Sequence, residues 1–118
     1  TLLASSAASD VYKRQDLQLL LEKYQEKNLL NPAVIVDTNH SNSNKQYKQQ
    51  VRIAKEVLHS RLVSPELHKL VKGLMIESYI EPGNQKICGN LVYGKSITDA
   101  CLGWEESEQL LYTIAEMC

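Results

Sequence analysis

His40, Glu77 and Asp99 are the side chains whose types and places could do chemistry together. His40 closes the run Val34-Ile-Val-Asp-Thr-Asn-His40. Glu77 interrupts the apolar Leu74-Met-Ile-Glu-Ser-Tyr-Ile80, and Asp99 ends Tyr93-Gly-Lys-Ser-Ile-Thr-Asp99. Strands of a parallel α/β sheet are buried on both faces, so polar groups that react gather where strands end and loops begin. One imidazole nitrogen and two carboxylate oxygens suit Mn, Fe or Zn better than Ca, and they do not make a thiolate-rich structural site.

Each residue also has an ordinary reading. A loop histidine commonly bonds only to backbone, a glutamate within a strand can face solvent, and Ser96-Ile-Thr-Asp99 is itself a capping-box pattern in which the carboxylate need only serve a helix start. Asp37 and Asn39 are candidates to fix the His40 tautomer, or they terminate the strand by local hydrogen bonds. Asn42 and Ser43 could order the loop beside His40, although a capping role is sufficient for Ser43. Lys45 and Lys95 sit where a phosphate could be attracted, but isolated lysines at such places are usually solvated, so no phosphate-binding residue is assigned. His59 and His68 lie in polar helical stretches and read as surface residues.

These side chains need elements to hold them. Leu17, Leu20, Leu21 and Tyr24 recur at helical spacing behind Asp16 as N-cap, and this helix must stop by Asn31-Pro32. Residues 33–37 form a short β-branched run, as in a buried parallel strand. Ser43-Asn-Lys-Gln46 reads as a capping box for a helix whose inner face is Tyr47, Val51, Ala54 and Leu58. Ser64-Pro65 starts a short helix over 66–72 that Gly73 ends, and 74–80 is the second strand. The stretch from Glu81 to Gly94 is a loop with room for a small hairpin. A helical turn over 96–102 and a last helix with Leu110, Leu111, Ile114 and Ala115 inside complete the order.

The fold class is therefore α/β, with two parallel strands and flanking helices. Two strands leave hydrophobic edges and an uncovered face, which favours association. Residues 1–15, TLLASSAASDVYKRQ, share neither periodicity nor composition with the helix that begins at Asp16. They lack the order of a signal peptide and are expected to be a non-native or disordered leader ahead of a single segment, 16–118.

Composition narrows the classes. With 43% hydrophobic and 23% charged residues the chain has the balance of a globular domain. A net charge of −1 and a pI near 6.3 provide no broad basic field for nucleic acid. No apolar run approaches the roughly 18 residues of a membrane helix. Cys88, Cys101 and Cys118 are odd in number and lack metal-ribbon spacing, which points to free thiols and a cytoplasmic setting.

Three blocks carry a resemblance: VIVDTNHSNSNKQ, GLMIESYIEPGNQ and YGKSITDACLGW, in this order and spacing. From Asn31 onward the chain resembles the end of a class I, aromatic-amino-acid-regulated 3-deoxy-D-arabino-heptulosonate-7-phosphate synthase. The resemblance implies the C-terminal part of a (β/α)8 TIM barrel, and condensation of phosphoenolpyruvate with erythrose 4-phosphate at the head of the shikimate pathway to aromatic amino acids. It implies a divalent metal, Mn, Fe, Zn or Co, held by His40, Glu77 and Asp99, with Asp99 also serving the chemistry. It further implies a homo-oligomer when complete, and an inactive fragment when the family's cysteine ligand and phosphate motifs are missing. Without the resemblance, a noncatalytic α/β binding or regulatory module is the alternative, its acidic residues serving as strand ends and caps.

Overall fold

The computed structural model describes residues 2–4 and 12–118, the first of these by backbone alone. Among these residues the elements run β1 (Leu2–Ala4), α1 (Arg14–Glu26), β2 (Val34–Asp37), α2 (Gln49–Val63), α3 (Pro65–Leu70), β3 (Val71–Met75) and α4 (Trp104–Met117). The strands form one parallel sheet in the order β1-β2-β3. The α/β class and the two expected strands are present, and β1 adds a third strand from the segment assigned to a leader. Pairing of Leu2 with Val34 and of Ala4 with Val36 places it beside β2. Residues 5–11 of that segment lie outside the described residues, but Tyr12 is buried in the core and thereby corrects the expectation of an unpacked leader at that position.

Two apolar clusters sit on α2. One joins Ile53 and Val57 to Leu17 and Leu21 of α1, Val34 and Val36 of β2, Leu67 and Val71. The other joins Ala54 to Leu102 and Leu110, with Tyr47, Val51 and Ile114 packed against it. The inner face of α2 is thus wider than expected: Ile53 and Val57 are fully buried alongside Ala54 and Leu58. A helix between two packing partners buries two flanks rather than one stripe.

Several boundaries move. α1 starts at Arg14 with Lys13 in the N-cap place, leaving Asp16 in the first turn, where its charge still suits the helix dipole. α2 starts at Gln49, not at Ser43, and its N-cap Lys48 makes no side-chain cap. Ser64 caps α3 as expected, its Oγ accepting from the Leu67 N–H at 3.3 Å. β3 begins at Val71 and includes Gly73, so Glu77 lies beyond the strand rather than within it.

No helix forms over 96–102. Ser96, Cys101 and Leu102 instead form isolated bridges with Asn84, Gly83 and Ser78, and residues 97–99 bend between them. The loop before them has no hairpin ladder. Gln85 closes it instead, accepting from the Val92 N–H at 2.9 Å while its amide nitrogen faces the Val92 and Lys95 carbonyls. In α4, Leu110 is buried but Leu111 and Ala115 face outward, with Ser107 taking an inner place.

Candidate metal centre

β2 ends on Asp37, and the chain there is held by polar side chains that are themselves buried: Asp37, Thr38, Asn39, Asn42 and Ser43. The Asn39 N–H donates to Asp37 Oδ1 at 2.8 Å, Asn42 Nδ2 to the Asp37 carbonyl at 2.7 Å, and Ser43 Oγ to Asn39 Oδ1 at 2.8 Å. Buried polar groups that satisfy one another in this way give a loop a single conformation. His40, Asn44 and Lys45 adopt left-handed backbone with φ of 46°, 54° and 60°. For non-glycine residues this costs of order 1–3 kcal/mol each, so the surrounding bonds must impose it. Ser43 is thus a loop-ordering residue here and caps no helix.

His40 projects from that loop with its two nitrogens in different surroundings. Nδ1 lies 2.8 Å from Asp37 Oδ2. An ionised carboxylate can only accept, so Nδ1 carries the proton and Nε2 of the neutral ring presents a lone pair. Nε2 in turn lies 3.0 Å from Glu77 Oε1 and 3.0 Å from Asp99 Oδ2. Closeness and hydrogen bonding part company at this point. Glu77 Oε1 is buried and accepts no hydrogen bond among the described residues, although Nε2 lies within 3.0 Å. A lone pair between two carboxylate oxygens is repulsive, and a single proton on Nε2 can point at only one of them. A cation shared by all three atoms removes the conflict. The three ligand atoms all lie within 4.8 Å of one another.

Burial of His40 lowers its pKa, but the hydrogen bond and charge of Asp37, followed by the charges of Glu77 and Asp99, outweigh that and leave it raised above 6.5. Burial is also the main reason the Cys101 thiol is pushed up. A hydrogen bond with Ser96 opposes this, and the charges of Glu77 and Asp99 add to it. Cys101 Sγ stands 3.9 Å from Glu77 Oε2 and 3.3 Å from the Asp99 carbonyl, so the thiol borders the triad as a neutral group.

The structure therefore brings His40, Glu77 and Asp99 together, with Asp37 behind His40. Asn39 links two walls of the site, since its Nδ2 donates to the Ala100 carbonyl at 3.1 Å. Asp99 lies in a bend and not at a helix start, and Ser96 Oγ accepts instead from the Thr98 N–H at 3.1 Å, which corrects the capping-box alternative. His59 and His68 are exposed, as expected. Among the described residues no ion pair joins Lys45 or Lys95 to the triad. A separate groove of about 650 Å³ runs along α2 between Lys48, Arg52, Lys55 and His59, and contains none of the triad. Convergent donors and acceptors, rather than groove size, single out the triad as the candidate site.

Two participants do not stand out in the sequence. Thr38 is fully buried and its Oγ1 lies 2.8 Å from the Met75 carbonyl and 2.9 Å from Gln50 Oε1. Gln50 is fully buried and reaches the backbone of Glu77. A signal for Gln50 is nonetheless present: it stands three residues after Tyr47 and four before Ala54, a polar residue on a face otherwise read as apolar.

The chain matches known proteins in the same region. The profile of the DAHP synthetase I family covers residues 7–112. The Trp-sensitive phospho-2-dehydro-3-deoxyheptonate aldolase of Enterobacter agglomerans is 46% identical over 85 residues, 70% of this chain and 24% of that protein. The Phe-sensitive enzyme of Escherichia coli K12 is 42% identical over 84 residues, 70% of this chain and 23% of that protein. Phospho-2-dehydro-3-deoxyheptonate aldolase from Francisella tularensis SCHU S4 superposes with a TM-score of 0.86 at 28% identity, over 98% of this chain and 33% of that one. The chain thus spans about a quarter of the length of these curated relatives and a third of the solved structure. With the family profile matched along most of its length, the chain belongs to the DAHP synthetase I family.

Proposed function

We propose that this chain carries the metal-holding portion of a 3-deoxy-7-phosphoheptulonate synthase, a transferase built as a (β/α)8 barrel. The enzyme joins phosphoenolpyruvate to erythrose 4-phosphate and releases phosphate. The observation that carries the reading is the convergence of His40 Nε2 on Glu77 and Asp99 oxygens at 3.0 Å, with Nδ1 held by Asp37. The names of the relatives support the activity, and the donor set suits Mn, Fe, Zn or Co.

His40, Glu77 and Asp99 would hold the metal, while Asp37, Asn39, Asn42 and Ser43 fix the loop that aims His40. A divalent cation there supplies a Lewis acid for the aldehyde oxygen of erythrose 4-phosphate. C3 of phosphoenolpyruvate forms the new bond to the aldehyde carbon, water adds at the former C2, and the C2–O bond to phosphate breaks. Asp37 keeps the proton on Nδ1 and so leaves Nε2 free to bind. Glu77, partly buried, contributes negative charge where water screens it weakly, and Asp99, half-exposed, has room to touch substrate as well as metal.

Among the described residues no helix is long and apolar enough to cross a membrane. A cytoplasmic homo-oligomer is the assembly we favour, the free cysteines supporting the cytoplasmic setting. The decisive test replaces the matching quarter of the Enterobacter agglomerans relative with this chain and measures phosphate release from the two substrates. Metal-dependent release that His40→Ala, Glu77→Ala or Asp99→Ala each abolish is expected. A folded chimera whose turnover is indifferent to all three changes would favour the noncatalytic binding or regulatory module.

A further inference from the structure

The strand that should present Glu77 stops short of it. The β2–β3 ladder closes at Asp37 with Met75, and its last backbone bond runs from the Thr38 N–H to the Met75 carbonyl at 3.0 Å. Glu77 lies two residues further on, where no β2 residue pairs with its backbone. On that side Gln50 takes the place of a strand. Its Oε1 accepts from the Glu77 N–H at 2.8 Å and its Nε2 donates to the Glu77 carbonyl at 3.0 Å. On the other side the Leu102 N–H donates to the same carbonyl at 3.0 Å.

We infer that Gln50 is a positioning residue for the Glu77 ligand: its primary amide imitates a peptide group and extends the sheet by one pairing, so that the Glu77 carboxylate is delivered to His40. This rests on the metal-centre reading above. Only one amide orientation presents an acceptor to the N–H and a donor to the carbonyl, and Thr38 Oγ1, a possible donor 2.9 Å from Oε1, agrees with that orientation. Gln50 is fully buried, on the first turn of α2, with its backbone N–H bonded to the Tyr47 carbonyl at 3.2 Å. Its side chain therefore has a fixed origin. A buried amide that satisfies two backbone groups of a ligand residue couples α2 to the site. Leucine at that position would leave a backbone donor unpaired, and glutamate would set a carboxylate against the Glu77 carbonyl.

The test uses this chain titrated with Co²⁺, read by visible absorption, beside hydrogen exchange of the metal-free protein. Gln50→Leu and the isosteric Gln50→Glu are each expected to weaken Co²⁺ binding by about 10–100-fold, the usual effect of removing a ligand's support. At saturation their spectra should approach that of Glu77→Ala, and the Glu77 amide should lose protection while the amides of β2 keep theirs. Ile53→Ala, one turn along the same helix, should lower thermal stability yet leave Co²⁺ affinity unchanged below the melting transition. If Gln50→Leu proves too unstable, Gln50→Glu and the exchange of the Glu77 amide decide alone. Wild-type affinity, spectrum and Glu77 protection in a Gln50 variant would overturn the inference while the metal centre stands. Failure of the unaltered chain to bind Co²⁺ in a His40-dependent manner would overturn the metal-centre reading, and this inference with it.

Discussion

The 2.8 Å contact between His40 Nδ1 and Asp37 Oδ2 gives His40 a fixed direction, because it sets which ring nitrogen keeps a proton and which faces Glu77 and Asp99. Asp37 ends a buried strand and His40 comes three residues later in left-handed backbone, so neither can turn away without breaking the loop between them.

That contact has a sign in solution. In the metal-free chain the folded-state pKa of His40 is raised, so the protonated ring contributes stability that is fully present below its unfolded value of about 6.5 and is lost as pH rises through the folded value. The difference in thermal midpoint between the chain and His40→Gln should therefore shrink from pH 5.5 to about pH 8. Asp37→Asn should lower the His40 pKa, as followed by NMR of the ring protons, and weaken Co²⁺ binding by roughly tenfold or more. An unchanged pKa in Asp37→Asn would show that Glu77 and Asp99 set it without Asp37.

Cys101 should be the slow thiol. Burial, with the nearby charges of Glu77 and Asp99, outweighs the Ser96 hydrogen bond and keeps it protonated, whereas Cys88 and Cys118 are exposed. Brief alkylation with iodoacetamide at pH 7.5, read peptide by peptide in a mass spectrometer, should modify Cys88 and Cys118 at least tenfold faster. Equal rates would mean that the Cys101 side of the site opens readily.

Tyr12 tests how far the fold extends toward the N-terminus. It belongs to the same core cluster as Leu17 and Ile53, and Arg52 donates to its hydroxyl at 3.2 Å while stacking 5.6 Å from the ring centre. Tyr12→Ala should cost about 3 kcal/mol by the scale of large-to-small core changes, measured by urea unfolding. A cost below about 0.5 kcal/mol would return residues 1–15 to the status of a dispensable leader.

The sequence by itself singled out the candidate set. A β-branched run that leads into Asp-Thr-Asn-His, a lone glutamate in an apolar stretch and a carboxylate after a long loop pointed to His40, Glu77 and Asp99 once the three blocks were read together, because charge and apolar pattern are written locally. It also determined the class, the helix of Leu17 and Leu21, and the Ser64 cap, all governed by neighbours within a few residues. Tertiary structure decided the rest. Asp99 could as well have capped a helix until the bridges of Gly83 with Cys101 and Ser78 with Leu102 tied down the chain after it and the bend at 97–99 set its carboxylate 3.0 Å from His40 Nε2. Gln50 read as an interruption of a helix face until the sheet was found to end before Glu77. Strand length and loop course depend on hydrogen bonds between residues far apart in the chain, 27 positions for Gln50 with Glu77 and 61 for Asn39 with Ala100, and local spacing carries no record of such partners.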